Sequence, residues 1–279
     1  MKPPNRLNRN SIITRMQTIQ FSKLVWVFYP TRSLSKWLII VAIWAPNIED
    51  IESLRNASIL TDAWYDVFVP EYYWFCRSNG KFSPMNSILS LLDSYKIFAN
   101  GYICHDIYTW SFFQKKYQNI IFLWLSYGGW LVLALPRFCK AIHTIWAFYP
   151  VVEYRWLWKC GTEESGPDFL LCLRRQFWHL YRLSKKSLWK DHFSHKNNLA
   201  PIESINMKHL KWLNIFLAHG KKDTSIKYVR TEKYSKKITW FHPKNHRCII
   251  YPDTGHGYET LIPASYDFTQ WLSTLSIAN

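Results

Sequence analysis

Apolar and polar positions along the chain alternate between short apolar runs and longer amphipathic stretches. Runs rich in β-branched and aromatic residues at 21–29, 37–44, 65–70, 119–125, 143–149, 212–217 and 247–251 predict strands. The run at 37–44 is apolar throughout, as a central strand buried on both faces should be. Between these runs, apolar residues recur at helical spacing over 48–62, 86–99, 225–236 and 261–275. Strand alternating with helix predicts an α/β class built on a mostly parallel central sheet.

The run at 119–125 ends in Ser126-Tyr127-Gly128-Gly129, and residues 130–135 can form a helix that stops at Pro136. Residues 120–136 are apolar enough to suggest a membrane span. The Ser-Tyr-Gly-Gly break in their middle favours strand, turn and helix instead. Such a turn with a serine at its apex is a nucleophile elbow, and it strains the serine so that its neighbours must be small. Gly128 meets that need on the helix side, whereas position 124 on the strand side holds tryptophan. On this G-x-S-x-G pattern, complete except for its first glycine, the chain resembles the α/β-hydrolase family over roughly residues 37–275. It is most similar to the serine aminopeptidase and monoacylglycerol-lipase-like branch. The resemblance implies the α/β-hydrolase fold, with helices on both faces of the sheet and a helical lid insertion.

It also implies a catalytic triad of Ser126, Asp223 and His256, in the chain order this fold uses. His219-Gly220-Lys221-Lys222-Asp223 follows the run at 212–217, where the family places the triad acid. Read alone, Asp223 also suits the N-cap of the helix predicted at 225–236. His256 lies between Gly255 and Gly257 after the last strand, the place of the general base. His219 and His242 are competitors, but neither follows that strand. By the same resemblance, the backbone N–H groups of Tyr127 and Ala45 would form an oxyanion hole. The segment around Ala45 lacks the family's His-Gly, and an ordinary turn is the alternative there. The segment from Glu71 to Pro84 resembles a glycine-rich family loop that supports the floor of the site, with Trp74 and Cys76 in place of glycines. The expected activity is serine-hydrolase cleavage of a small-molecule ester, or of a short acyl or peptide substrate, without cofactor or metal. The alternatives are a peptidase or amidase of the same fold and a catalytically inactive binding protein.

Length and composition shape this picture at its edges. The chain has 279 residues, 48% hydrophobic, enough for one α/β core with an insertion. The core is assigned to 21–150 and 205–279, and 151–204 to a helical lid or cap. A basic amphipathic helix at 168–188, with Asp168 near its start, fits a lid, a surface helix or a helix lying on a membrane. Residues 1–20 form a basic arm, predicted to be poorly ordered, without the apolar stretch of a signal peptide. Six scattered cysteines form no C-x-x-C pair and no zinc spacing, which suits a reducing cytoplasm. The net charge of +16 fits either anionic partners or a codon-biased proteome. Basic residues and aromatics do not interleave as in a single-strand platform, so no nucleic acid is expected, while weak association with an anionic membrane surface fits the basic lid.

The chain has 16 tryptophans and only nine glycines, where average usage of about 7% would give roughly 20 glycines. Trp44, Trp64, Trp74, Trp124 and Trp130 fall where the family pattern wants glycine, a residue that serves there by having no side chain. UGA is read as tryptophan in one bacterial code and as glycine in another, so a gene read with the wrong table would produce this pattern. A genuinely tryptophan-rich, divergent hydrolase is the alternative.

Overall fold

The computed structural model describes residues 17–31, 37–42, 60–73, 75, 77–153, 166–175 and 177–275. Ten strands are described: β1 (Gln17–Phe21), β2 (Leu24–Tyr29), β3 (Trp37–Ala42), β4 (Asp66–Pro70), β5 (Cys104–Asp106), β6 (Phe112–Phe113), β7 (Asn119–Leu125), β8 (Thr144–Phe148), β9 (Asn214–Gly220) and β10 (Asn245–Tyr251). They form one sheet in the order β10-β9-β8-β7-β3-β4-β2-β1-β5-β6. From β4 through β3, β7, β8 and β9 to β10 every neighbouring pair is parallel. The other end is antiparallel. The mostly parallel sheet expected from the apolar runs is therefore present, with an antiparallel extension.

Seven α-helices lie wholly within the described residues: α1 (Pro84–Asn100), α2 (Gly129–Ala134), α3 (Gly166–Arg175), α4 (Lys186–Phe193), α5 (Ser204–Met207), α6 (Tyr228–Thr239) and α7 (Tyr258–Thr274). Two of them cover opposite faces of β9. Phe216 packs on Phe268 of α7, while His219, at odd spacing from it and so on the other face, bonds Thr231 of α6. The start and stop of α1 are set locally. Ser83 Oγ accepts the Asn86 N–H at 3.1 Å, and Gly101 closes the helix at φ 69°. Among the described residues, no helix is long and apolar enough to cross a membrane.

Several expectations need correction. Residues 17–20 are not the end of a disordered arm, because they form β1 and pair with both β2 and β5. The run at 21–29 is not one strand; Ser22, at φ 55°, turns the chain between β1 and β2. The β5–β6 hairpin was not foreseen. The lid helix predicted at 168–188 is two elements, α3 and α4. The chain between them leaves the helix to bond the Glu71–Pro84 loop, with Phe82 N donating to Arg182 O and Ser184 N to Phe82 O. Tyr181 packs there against Phe75 and Phe82. Of the helix predicted at 48–62, residues 60–62 are described and helical. Trp44, Ala45, Trp74 and Cys76 lie outside the described residues.

Candidate active site

Three loops at the C-terminal ends of parallel strands meet at one point, the edge where open α/β sheets place their ligands. Ser126 follows β7, Asp223 follows β9 and His256 follows β10. Ser126 opens a short 3₁₀ turn, Ser126–Gly128, that runs directly into α2. Its φ of 57° is the left-handed conformation that a non-glycine residue adopts only under constraint. The sequence creates that constraint by joining a buried apolar strand to an apolar helix with no room for a longer loop. Ser126 is buried, at 5% exposure, so its hydroxyl is largely shielded from solvent.

The structure brings the three predicted side chains together. Ser126 Oγ lies 3.1 Å from His256 Nε2, and His256 Nδ1 lies 2.7 Å from Asp223 Oδ2. Asp223 faces two duties with its two oxygens. Oδ1 accepts the backbone N–H groups of Ser225 at 2.8 Å and Ile226 at 2.9 Å, which folds the loop around it. Oδ2 faces the imidazoles. The N-cap of α6 is Lys227, so the capping alternative for Asp223 does not describe this helix. Burial opposes the charge on Asp223, but hydrogen bonds from His219 and His256 and from the Ile226 N–H outweigh it. They hold the carboxyl well below the usual carboxylate range.

His219, read from the sequence as a competing base, is fully buried behind the acid, with Nε2 3.0 Å from Asp223 Oδ2. The spacing of a histidine four residues before the acid was the available signal, and β9 runs on to Gly220 so that this histidine points inward from the strand. His242 has no part in this chain of bonds: it lies beyond α6 at φ 46°. Tyr149 was also missed. It follows β8 at φ 28° and packs its ring 4.1 Å from the His256 ring, which limits the rotation of that imidazole.

The loops that carry Asp223 and His256 are stitched to each other. Lys221 N donates to Tyr251 O and Lys222 N to Thr254 O, each at 2.8 Å. Glu259 Oε1 accepts the Gly255 N–H and Thr260 Oγ1 donates to Gly255 O. A Cβ on Gly220 would strike the Gly255 and Thr254 carbonyl oxygens, so only glycine allows this approach.

The serine side is built differently. The indole of Trp124 occupies the space where a Gly128 Cβ would stand, and it stacks on Tyr72 at 5.8 Å. Its Nε1 is buried without a hydrogen-bond partner among the described residues. Of the other tryptophans at expected glycine positions, Trp64 is exposed at φ 72°, in the region that favours glycine, and Trp130 is buried in the first turn of α2. Trp110, not singled out from the sequence, is likewise exposed at φ 55°. Of the two oxyanion donors expected from the resemblance, the Tyr127 N–H follows Ser126 within the turn, and Ala45 is outside the described residues. Among the described residues no cluster of three or more His, Cys, Asp or Glu side chains could hold a metal ion.

No protein-family model matches the chain, and no curated protein matches it in sequence. Solved structures do. The Pyrococcus furiosus esterase Pf2001 superposes with a TM-score of 0.62 at 14% identity, covering 98% of each chain. Est1E from Butyrivibrio proteoclasticus gives 0.57 at 13%, covering 92% of this chain and 97% of that one. The mouse alpha/beta hydrolase domain-containing protein 10 gives 0.59 at 12%, covering 94% and 99%. At these identities the likeness establishes the fold, and the chain has the α/β-hydrolase fold.

Proposed function

We propose that this chain, an α/β-hydrolase-fold protein, is a serine hydrolase that cleaves a carboxylic ester through an acyl-enzyme. The observation that carries this reading is the unbroken chain of hydrogen-bond distances from Ser126 Oγ through His256 to the buried Asp223, with the serine in the left-handed conformation. Two of the similar structures are esterases, which supports an ester over an amide.

The steps follow from the groups present. His256 Nε2 takes the Ser126 proton as Oγ bonds to the ester carbonyl carbon. Asp223, charged and fixed by its own donors, orients the imidazole and favours the imidazolium that forms. The Tyr127 N–H is assigned to the developing oxyanion, where a single donor contributes roughly 3 kcal/mol. Ala45 is assigned the second position on the resemblance. The tetrahedral adduct then breaks its C–O bond to the alcohol, which leaves with the proton from His256. Water, deprotonated by the same nitrogen, clears the acyl group.

Trp124 favours a second reading, an inactive binding protein of this fold, because it fills the gap that the elbow pattern keeps open. Hydrolysis of short-chain aryl esters separates the two. The proposed enzyme hydrolyses them and Ser126→Ala does not; activity that survives the substitution removes Ser126 from the reaction.

A further inference from the structure

His219 shares its carboxylate oxygen with the general base. Its Nε2 lies 3.0 Å from Asp223 Oδ2 and 2.8 Å from Ile226 O, and both of these atoms only accept. Nε2 therefore carries a proton. Nδ1, 2.7 Å from Thr231 Oγ1, can then accept the threonine hydroxyl, so every polar atom of this buried ring has a partner in the Nε2–H tautomer. His256 Nδ1 addresses the same Oδ2 from the other side, at 2.7 Å.

We infer that His219 is a positioning residue: it fixes the Asp223 carboxylate from behind and sets how strongly Oδ2 holds the proton on His256. This inference rests on the serine-hydrolase reading of the site. A donor on Oδ2 draws off part of that oxygen's basicity. Removing the donor would make Oδ2 a stronger partner for protonated His256 and would leave the carboxylate free to turn. The proton would then stay on His256 to higher pH, and fewer enzyme molecules would hold a neutral base.

Among the described residues, these groups face the two imidazoles. Asp223 lies between them, and Tyr149, from the end of β8, sets its ring against both. Thr231 comes from α6. Glu259 on α7 directs Oε1 to the Gly255 N–H, and the Lys222–Asp253 ion pair is exposed to solvent.

The test uses the full chain with His219→Phe, which keeps a ring but no donor, and His219→Gln, whose amide can donate to Oδ2. Two readouts are taken: the pH profile of aryl-ester hydrolysis, and the titration of the His256 ring by NMR, assigned with His256→Asn. His219→Phe should lower kcat about tenfold with KM unchanged and move the acid limb and the His256 titration up by about half a unit to one unit. His219→Gln should restore both. Thr231→Val, which only loosens the far side of the ring, should move them the same way by less. It decides the matter if His219→Phe does not fold. A His256 titration unmoved in His219→Phe or, failing that variant, in Thr231→Val overturns the inference. Absence of Ser126-dependent hydrolysis in the unmodified protein would overturn the hydrolase reading alone, since the NMR titration does not depend on turnover.

Discussion

Each side of the site has a glycine whose side-chain space is already taken, by backbone carbonyls on one side and by an indole on the other. On the acid–base side, Gly220 leaves empty the space that the Gly255 and Thr254 carbonyls need. On the serine side, Gly128 leaves its space empty too, but the indole of Trp124 has entered it. The acid–base loops are held by polar bonds that name their partners, whereas the elbow is held by apolar bulk. The elbow still presents Ser126 to His256 at 3.1 Å. With tryptophan at position 124, the requirement for small residues at this elbow falls on Gly128 and on Gly129, where a Cβ would strike Pro150.

The largest expected effects treat the two sides as one machine. Ser126→Ala or His256→Ala should each lower kcat by roughly 10⁶-fold, and Asp223→Asn by roughly 10⁴-fold, in steady-state ester hydrolysis. If only the serine substitution mattered, the comparison of two cooperating sides would fail.

Next comes a coupling test. Gly128→Ala should cost about 3 kcal/mol in urea unfolding while Trp124 is present, and under about 1 kcal/mol in a Trp124→Gly background. Gly220→Ala should cost about 3 kcal/mol in both backgrounds. Equal costs for Gly128→Ala in the two backgrounds would break the distinction.

Acid should weaken the serine side through a buried histidine. His192 on α4 packs 4.4 Å from the Trp130 ring on the serine side. Burial, then the neighbouring His195, push its pKa down to about 3, against a partial rise from Asn197. A folded value below the unfolded one means that its contribution is present above pH 6.5 and is lost as pH falls toward 3. Between pH 7 and pH 5 the loss from His192 should be about 2 kcal/mol in urea unfolding, and His192→Gln should remove that part, leaving what His246 and His209 contribute, since burial lowers their pKa values too. Asp223 is also depressed, so its contribution holds down to the unfolded carboxylate value of about 3.9 and is lost only below that. Stability that is flat from pH 7 to pH 5 would contradict this assignment.

The smallest effect is expected from Trp124→Gly alone. It leaves ester hydrolysis within tenfold of the starting rate or raises it. A larger fall would make the indole part of the working site.

Much of this arrangement was legible in the sequence, for identifiable reasons. Buried parallel strands leave apolar runs, and the residues that end them stand out because they are small or polar. Those strand ends marked the loops that hold Ser126, Asp223 and His256, and the roles of the three residues came from the resemblance to the α/β-hydrolase family. The split between α3 and α4 was hidden because helical spacing continues through residues whose backbone bonds a distant loop instead. The β1–β2 turn was hidden because Ser22 and Lys23 interrupt an otherwise apolar run without glycine or proline. His219 was weighed as a rival base because spacing cannot tell a ring that points at a serine from one that points at the acid behind it.

The most direct test is to treat the protein from its own source with a fluorophosphonate and weigh the peptide spanning residues 119–136. An adduct on Ser126 that is absent after His256→Ala is expected. The same spectrum reads whether position 124 is tryptophan or glycine. An unmodified Ser126, or an adduct on another residue, would contradict the central claim that this serine is the nucleophile.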